Sequence, residues 1–364
     1  MRLAFLTSTP QSIGAGSGTY VGIATLAAAV RGRGIEVDVI APGSRWPAYT
    51  LQRRWFNELL RWRDWSEYDA IVGFDLDGFR LRVPHVASIK GVIADEARHE
   101  AGLVRRLLQL QAEWERRNVH RAARVVTTSA YAARRIQQLY SLPVTPCVVP
   151  ELIDLDAWRS LFESVEAAPD PARFAVLSVG RFYPRKRIDV LLDAARQVED
   201  RIPGFELRIV GDGPENRRLR VLAPRSAAFL GTISRRALAA EYKRCDLFCL
   251  PSVQEGFGIV LLEAMAAGRA IVAAASSAVP EVAPHALLAE PGDAGALAQA
   301  LLLAWRDPVL RDTIACAGSE RVRAYDAPVV AAQFLEALMS WSFGKRRAAP
   351  ARESENRQSA SARP

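Results

Sequence analysis

Short apolar runs alternate with longer amphipathic segments along most of the chain. In the first half the apolar runs fall at 3–6, 35–40, 69–74, 86–89, 123–127 and 148–150, and in the second half at 174–179, 205–210, 227–233, 245–250 and 270–273. Unbroken apolar runs of this length are typical of parallel strands buried on both faces, and the segments between them have helical spacing. The pattern therefore predicts an α/β protein built from two successive strand–helix series.

The length of the chain and a proline-containing segment near its middle divide these elements between two domains. A chain of 364 residues is long for one core and sufficient for two. We predict an N-terminal Rossmann-like domain over residues 1–163, a linker with prolines and acidic residues over 164–173, and a C-terminal Rossmann-like domain over 174–328. A last helix at 329–343 and a disordered basic tail at 344–364 complete the prediction.

Composition narrows the classes of function. Half of the residues are hydrophobic and 24% are charged, the balance of a globular protein, and no apolar run approaches the roughly 18 residues of a membrane-spanning helix. The net charge is +8, but residues 344–364 alone carry six basic and two acidic side chains, so that the remainder is only mildly basic. Neither a nucleic-acid-binding motif nor cysteines at metal-ligand spacing are present. We therefore expect a cytoplasmic protein with no nucleic-acid partner.

The stretch 245–268 carries the strongest candidate chemistry. An apolar strand leads into a tight glycine-containing loop, and an apolar helix follows. Free backbone N–H groups at such a helix start can bind an anion. Glu255 lies in the loop and Glu263 lies within the helix, where a carboxylate needs a polar partner because burying it alone is costly. The residues by themselves indicate an anion site with two carboxylates.

The spacing Glu255-x7-Glu263 has Gly-Phe-Gly between the glutamates, Pro-Ser before them and Ala-Met-Ala-x-Gly after them. This pattern resembles the signature of retaining glycosyltransferases of family 4, and the resemblance extends over most of residues 1–340. It implies the GT-B fold, in which two Rossmann-like domains face each other across a cleft and a final helix crosses back to the N-terminal domain. It also implies a hexosyltransferase that uses a nucleotide-diphosphate sugar, UDP- or GDP-linked, with a glycan, lipid-linked or small-molecule acceptor and with neither a metal nor another cofactor.

The resemblance assigns roles to residues along the chain. Arg181 and Lys186 are expected to bind the donor's diphosphate and Glu255 to hold its sugar, and these three are the candidate catalytic residues. Glu263 is expected to accept the ribose hydroxyls. The candidate donor-binding residues are Gly16, Gly180, Ile233, Gly256, Phe257, Gly258, Ile259, Val260 and Glu263. Two cations at the C-terminal edge of a strand also suit a phosphate on physical grounds, whereas we expect Arg185 at the surface.

Three positions depart from the family pattern. Ala15 takes the place of a glycine, Lys90 that of a histidine near the transferred sugar, and Glu151-Leu152 that of Asn-Gly. Lys90 is a candidate contact to the sugar or the acceptor, and an exposed loop lysine is the alternative interpretation. Two other functions stay open: another GT-B enzyme, such as a sugar-nucleotide epimerase or a phosphorylase, and an inactive glycosyltransferase-like partner subunit, which the three departures keep open.

Two segments of the N-terminal half allow both a functional and a structural interpretation. Residues 51–65 alternate arginines with aromatic residues, and we expect a helix that packs its tryptophans on the sheet and points its arginines into water. Peripheral contact with an anionic membrane is the alternative, to which the arginine-bearing helix predicted at 96–120 and the tail would contribute. Asp75-Leu76-Asp77 follows a strand, and we expect solvated loop carboxylates there in preference to a metal site.

Overall fold

The computed structural model of the protein describes residues 1–9, 18–43 and 46–347. Within residues 1–163 the strands and helices run in the order β1 (Arg2–Leu6), α1 (Gly18–Arg31), β2 (Glu36–Ile40), α2 (Tyr49–Leu60), β3 (Ala70–Phe74), β4 (Val86–Ile89), α3 (Ile93–Glu96), α4 (Gly102–Arg121), β5 (Arg124–Thr127), α5 (Ala130–Tyr140), β6 (Cys147–Val148) and α6 (Leu155–Glu163). The strands form one parallel sheet in the order β2-β1-β3-β4-β5-β6.

The second half of the chain forms a second parallel sheet. Its elements are β7 (Phe174–Val179), α7 (Ile188–Val198), β8 (Phe205–Val210), α8 (Asn216–Val221), β9 (Ala227–Gly231), α9 (Arg235–Arg244), β10 (Leu247–Leu250), α10 (Ile259–Ala266), β11 (Ala270–Ala274), α11 (Val279–Val282), β12 (Leu287–Ala289), α12 (Ala294–Arg306), α13 (Pro308–Arg321) and α14 (Ala327–Arg347). The sheet order is β12-β11-β10-β7-β8-β9.

Helices cover both faces of the second sheet, as the unbroken apolar strands require. Every residue of β11 is buried, which leaves no solvated face. Helices α7 and α12 pack together on one face, and α9 and α10 contribute to the core on the other. These apolar layers hold the strand ends in fixed positions, and the loops that follow the strands carry the polar residues.

The strand order of each sheet reverses at one point. The first sheet reverses between β1 and β3, and the second between β7 and β10. At such a point the connections leave toward opposite faces and open a crevice at the carboxyl ends of the strands, where parallel α/β sheets bind ligands. The predicted site residues after β7 and β10 therefore share one crevice.

The chain passes between the two sheets twice, at adjacent positions. Ile153 donates from its N–H to the Tyr325 carbonyl at 3.0 Å, and Ala327 donates back to the Ile153 carbonyl at 2.8 Å. After the first crossing, α6 packs against the second half, with the Trp158 ring 5.9 Å from Tyr242. After the second, α14 packs on α1 and the first sheet, with Phe334 edge-on to Phe5. The composition-based linker at 164–173 thus begins about ten residues after the chain first crosses.

The aromatic segment predicted at 51–65 forms α2, but its side chains do not divide as predicted. Phe56 and Trp65 are buried, whereas Trp55 and Trp62 are 53% and 69% exposed. Arg53 is buried and donates to Ser8 Oγ at 3.0 Å and to Gln111 Oε1 at 2.8 Å. The prediction of packed tryptophans holds for Trp65 and was wrong for Trp55 and Trp62. The prediction of solvated arginines was wrong for Arg53, because its buried acceptors come from distant parts of the chain.

Asp75 and Asp77 are buried, so the prediction of solvated carboxylates was also wrong. Asp77 accepts from the Ser8 N–H at 2.6 Å and from Asn57 Nδ2 at 2.7 Å, and Asp75 accepts from the Lys90 N–H at 2.8 Å. Burial raises the pKa of Asp75 to about 6, against the opposing effect of the Arg53 guanidinium. Within residues 1–9, 18–43 and 46–347, no three His, Cys, Asp or Glu side chains are grouped closely enough to hold a metal ion.

Candidate active site

A cleft of about 320 Å³ separates the carboxyl ends of the two sheets. Both halves line it, the first mainly through the start of α1 and the end of β4, and the second through the loops after β7, β9 and β10. Twelve of the predicted site residues lie in this cleft: Lys90, Gly180, Arg181, Lys186, Ile233, Glu255, Gly256, Phe257, Gly258, Ile259, Val260 and Glu263. Gly16 lies outside the described residues.

Lys186 and Glu255 form an ion pair in the wall of the cleft. Lys186 Nζ is 2.6 Å from Glu255 Oε1, and the two side chains are 16% and 8% exposed. Burial lowers the pKa of Lys186, an effect that the carboxylate of Glu255 opposes. Burial by itself would raise the pKa of Glu255, but the charge and hydrogen bond of Lys186 outweigh it and lower that pKa. The ion pair holds the Lys186 side chain in the cleft wall, where it can meet an anion.

Arg181 follows β7 and is half-buried in the same wall. Its guanidinium lies 5.9 Å from the centre of the Tyr183 ring, and no carboxylate lies within ion-pair distance in the described part of the chain. Arg181 and Lys186 thus present two cations at the carboxyl end of one strand. This geometry fits a diphosphate, whose charge needs more than one cationic partner.

The glycine loop places the start of α10 at the cleft. Gly258, with φ of 92°, adopts the left-handed conformation that a side chain disfavours, and α10 begins at the next residue. The N–H groups of Ile259 and Val260 belong to the first turn, which has no intrahelical acceptors for them. The Phe257 side chain turns away into the core, edge-on to Tyr325 at 5.5 Å, so that Phe257 offers the cleft mainly its backbone.

Glu263 lies one turn into α10 and has a single hydrogen-bond partner among the described side chains. Tyr242 donates its hydroxyl to Glu263 Oε2 at 2.9 Å. Burial raises the pKa of Glu263 to about 7, and the hydrogen bond from Tyr242 opposes that rise only in part. Ile233, partly buried after β9, lines the cleft beside it. A carboxyl group with one oxygen free next to an apolar side chain can accept hydroxyl donors.

Lys90 is buried, so the alternative interpretation of an exposed loop lysine was wrong. Its Nζ is 3.1 Å from Glu151 Oε2, and the two side chains are 5% and 4% exposed. Two of the positions at which the sequence departs from the family pattern are therefore partners in one ion pair. This contact could not be predicted from local sequence patterns, because the two residues are separated by about sixty positions.

Arg185 also lies in the cleft, which corrects our expectation of a surface position. Its guanidinium donates to Glu96 Oε1 at 3.1 Å and to Gln254 Oε1 at 2.9 Å, and its side chain is 15% exposed. The contact with Glu96 joins the two halves of the chain across the cleft. The sequence around Arg185 has no feature that distinguishes it from a surface arginine, and its contact with Glu96 becomes visible only in the structure.

Further contacts join the two halves beside the cleft. Ser129 donates its hydroxyl to the Gly256 carbonyl at 2.8 Å, and the carboxylate of Glu281 accepts from the Ala130 N–H at 2.7 Å and the Tyr131 N–H at 3.1 Å. The first turn of α5 is therefore capped by a side chain of the other half, in addition to Ser129 itself. These hydrogen bonds tie α5 of the first half to the second half.

Comparisons with known proteins identify this architecture. The chain is similar to the solved sucrose-phosphate synthase of Thermosynechococcus elongatus, with a TM-score of 0.78 and 22% identity over 94% of this chain and 99% of that one. It is also similar to Anabaena HepE in complex with UDP-glucose, with a TM-score of 0.68 and 20% identity over 93% and 100% of the two chains. The predicted fold is confirmed: two Rossmann-like sheets facing a cleft form the GT-B fold of glycosyltransferases.

Two family models match the sequence. The model for glycosyl transferases group 1 matches residues 173–307, and that for glycosyltransferase family 4 matches residues 16–157, together about three quarters of the chain. The chain belongs to these family 4 glycosyltransferases. It is 37% identical to the phosphatidyl-myo-inositol mannosyltransferase of Mycobacterium tuberculosis over 210 residues, 54% of this chain and 55% of the relative. The match thus spans about half the length of that curated relative.

Substitution of Gly256 tests how closely the halves approach. A Cβ at Gly256 would lie 2.6 Å from the Lys90 carbonyl oxygen, so Gly256→Ala must push the two halves apart. Because such overpacking costs about 1–3 kcal/mol, we expect donor turnover to fall about 10- to 100-fold. Steady-state kinetics, with small-angle scattering to detect a wider cleft, check this. Gly43→Ala is the matched control, since a Cβ there meets nothing within 4 Å; unchanged turnover in Gly256→Ala would refute the close approach.

Proposed function

We propose that the protein is a retaining glycosyltransferase that transfers a sugar from a nucleotide-diphosphate donor without a metal ion. The observation that carries the proposal is the pairing of Lys186 with Glu255 beside Arg181, opposite the start of α10, in the cleft of a family 4 chain. The donor would lie along the second half, with its base near Ile233, its ribose hydroxyls on Glu263 and its diphosphate on the two cations.

The arrangement addresses the electrostatic difficulty of the reaction. Negative charge grows on the departing diphosphate as the sugar becomes oxocarbenium-like, and preorganised cations and helix N–H groups stabilise such charge. Lys186, Arg181 and the first turn of α10 supply these groups, and the carboxylate of Glu255 fixes the lysine and is available to a sugar hydroxyl. No described side chain is placed as an evident covalent nucleophile, which favours attack on the same face as the departing group, with the diphosphate accepting the acceptor's proton.

Calorimetric titration tests the donor site. We expect one of UDP, GDP or ADP, or its common sugar forms, to bind the wild type, and we expect EDTA to leave the affinity unchanged. Arg181→Ala should weaken that binding about 10- to 100-fold, the effect of losing one or two charge-assisted hydrogen bonds. Slow hydrolysis of the bound nucleotide sugar would then separate an enzyme from an inactive partner subunit. Absence of binding would refute the donor site and favour the partner-subunit alternative.

A lipid-linked acceptor at an anionic membrane is the acceptor class that the surface of the first half supports best. One side of α2 and the turn after it exposes apolar side chains four or three positions apart: Leu51, Trp55, Leu59 and Trp62. The start of α4 exposes four more: Leu103, Val104, Leu107 and Leu110. The two helices touch, because Gln111 Nε2 donates to Thr50 Oγ1 at 2.9 Å, and exposed arginines lie on both.

This surface combines the features of a helix that lies in a membrane interface. The helices of the described residues include none long and apolar enough to cross a bilayer, so membrane contact of this part would be peripheral. The mycobacterial relative is named for action on phosphatidyl-myo-inositol, a membrane lipid, and this supports a lipid acceptor here.

Flotation with vesicles tests the membrane surface. We expect the wild type to bind vesicles containing anionic lipid at low salt, and Trp55→Ser with Trp62→Ser to reduce the bound fraction about 10-fold, because each tryptophan buries a large apolar area in the interface. The matched control is Val221→Ser with Val309→Ser, since these residues of the second half are 82% and 75% exposed. An equal loss of vesicle binding in both double variants, or no vesicle binding by the wild type, would refute the proposal that this surface binds the membrane.

A further inference from the structure

The Lys90–Glu151 pair is a buried charge pair that stability alone does not explain. Both side chains are almost fully buried, and removing two charges from water costs free energy that their attraction seldom exceeds. Apolar residues of similar size would fill this space at no such cost. The pair nevertheless lies in the cleft wall, where charged groups meet a substrate.

Both members of the pair have hydrogen-bonding capacity left over. An ammonium group has three donors, and within the described structure Lys90 Nζ uses one of them, toward Glu151. Its other near neighbour is the apolar face of Phe74, 5.8 Å from the ring centre. Glu151 Oε2 accepts from Lys90, and the other carboxylate oxygen accepts from no described donor. The wall thus presents a donor and an acceptor side by side.

The two groups are held rigidly from the strand ends. The Lys90 N–H donates to Asp75 Oδ1 at 2.8 Å, which fixes the backbone after β4. Glu151 follows β6 and lies against α1 so closely that a Cβ on Gly22 would be 2.6 Å from Glu151 Oε2. The direction of both side chains is therefore set before a ligand arrives, as selective recognition requires.

The position of the pair indicates which part of the donor it meets. Lys90 lies against the loop of Gly256, the residue that follows Glu255, and Glu255 is the residue proposed above to meet the sugar. Ile233 and Glu263 line the same cleft. If the base and the ribose lie at Ile233 and Glu263 and the diphosphate lies on the cations, the next group along the donor is the sugar. The pair would then face the sugar from the first half of the chain.

We propose that Lys90 and Glu151 act as one recognition unit for two neighbouring hydroxyls of the transferred sugar. One hydroxyl accepts from the ammonium group and the other donates to the carboxylate. This inference rests on the proposed function and narrows its substrate class to neutral sugars with both hydroxyls present, because an acidic group at this position would meet the carboxylate of Glu151.

Four variants separate recognition from stability. Lys90→Met and Glu151→Gln each leave one buried charge unpaired and should lower the melting temperature, whereas the double variant removes both charges and should restore it. Gly22→Ala displaces Glu151 without removing a charge. UDP, GDP and ADP and their glucose and mannose forms are titrated by calorimetry into each protein, together with monodeoxy analogues of the sugar that binds.

We expect the double variant to bind the nucleoside diphosphate within about 2-fold of the wild type, and to bind its sugar form about 10- to 100-fold more weakly, as loss of two hydrogen bonds predicts. Two of the monodeoxy analogues, each lacking one of the recognised hydroxyls, should bind the wild type more weakly than the parent sugar form does, but less weakly than the parent sugar form binds the double variant. A double variant with wild-type affinity for the sugar form would show that the pair is structural, and overturn the proposal. If the wild type binds diphosphate and sugar form equally, the pair proposal fails while the donor site stands; if it binds neither, both fail.

Discussion

Lys186→Ala is expected to lower kcat/KM for sugar transfer about 100- to 1,000-fold, the effect of removing one preorganised charge that stabilises a developing anion. The substitution takes away the ammonium group that Glu255 holds at 2.6 Å. It also leaves Glu255 buried with a negative charge, so that the anionic donor meets repulsion in place of attraction. Steady-state kinetics with the donor identified by titration measure the effect.

Two controls separate this loss from misfolding. Lys186→Met with Glu255→Gln removes both charges and should retain the wild-type melting temperature while remaining inactive. Arg187→Asn changes the neighbouring cation, which pairs with Asp189 outside the cleft, and asparagine tolerates the left-handed φ of 48° at that position. This variant should retain turnover within about 3-fold, since it loses only a partly exposed ion pair. Lys186→Ala with turnover within 5-fold of the wild type would show that the diphosphate binds elsewhere.

Glu263→Gln is expected to weaken donor binding and to stabilise the free protein above neutral pH. Glutamine keeps an acceptor for Tyr242 but cannot accept both ribose hydroxyls as a carboxylate does, so we expect about 10- to 100-fold lower affinity for the nucleoside diphosphate. Glu263→Asp is the charge-retaining comparison, because it shortens the side chain without neutralising it. Affinity within 2-fold of the wild type in Glu263→Gln would refute the ribose contact.

The raised pKa of Glu263 determines the direction in which the stability of the free protein and its affinity for the donor change with pH. Burial raises it from 4.5 to about 7, so the folded state holds a proton that the unfolded state has released between these values. The stability contribution of Glu263 is therefore fully present below pH 4.5 and is lost as the pH rises to about 7. At pH 8 we expect Glu263→Gln to be more stable by about 1–2 kcal/mol, less than the full shift implies because the carboxyl group faces the cleft.

The affinity for the donor should increase with pH, whereas the stability contribution of Glu263 decreases. The ionised form accepts the ribose hydroxyls, so the affinity of the wild type should increase between pH 6 and pH 8, while that of Glu263→Gln should change less over the same range. Denaturant titrations and calorimetry at both values measure the two effects. If affinity and stability changed with pH in the same way in the wild type and in Glu263→Gln, a group other than Glu263 would be responsible for the pH dependence.

The sequence predicted the alternation of strands and helices because it is encoded in local patterns. The unbroken apolar runs identified β3 and β11, both of which are buried along their whole length. The twelve described site residues converge on one cleft because the topology brings strand ends together at one edge. Their chemical roles stay predictions until the titrations are made.

The errors share one physical cause, which is that partners distant in sequence decide burial. Arg53 is buried because Ser8 and Gln111 accept its hydrogen bonds, and Lys90 is buried because Glu151 lies opposite. Arg185 faces the cleft because Glu96 belongs to the other half. Local composition marks an arginine or a lysine as solvated on average, and it contains no information about such pairs.

The neighbouring crossings at Ile153 and Ala327 have a consequence for synthesis on the ribosome. The first sheet is translated before the second, but α14, which covers part of the core of the first sheet through Phe334, is translated after the second sheet. The second sheet and its helices are complete in sequence before α14 begins. The half that emerges first therefore keeps an apolar face uncovered until α14 has been translated, and the second half can finish folding before it. We expect a chaperone that binds the nascent chain to bind its N-terminal half, because α14 does not yet cover the apolar face there.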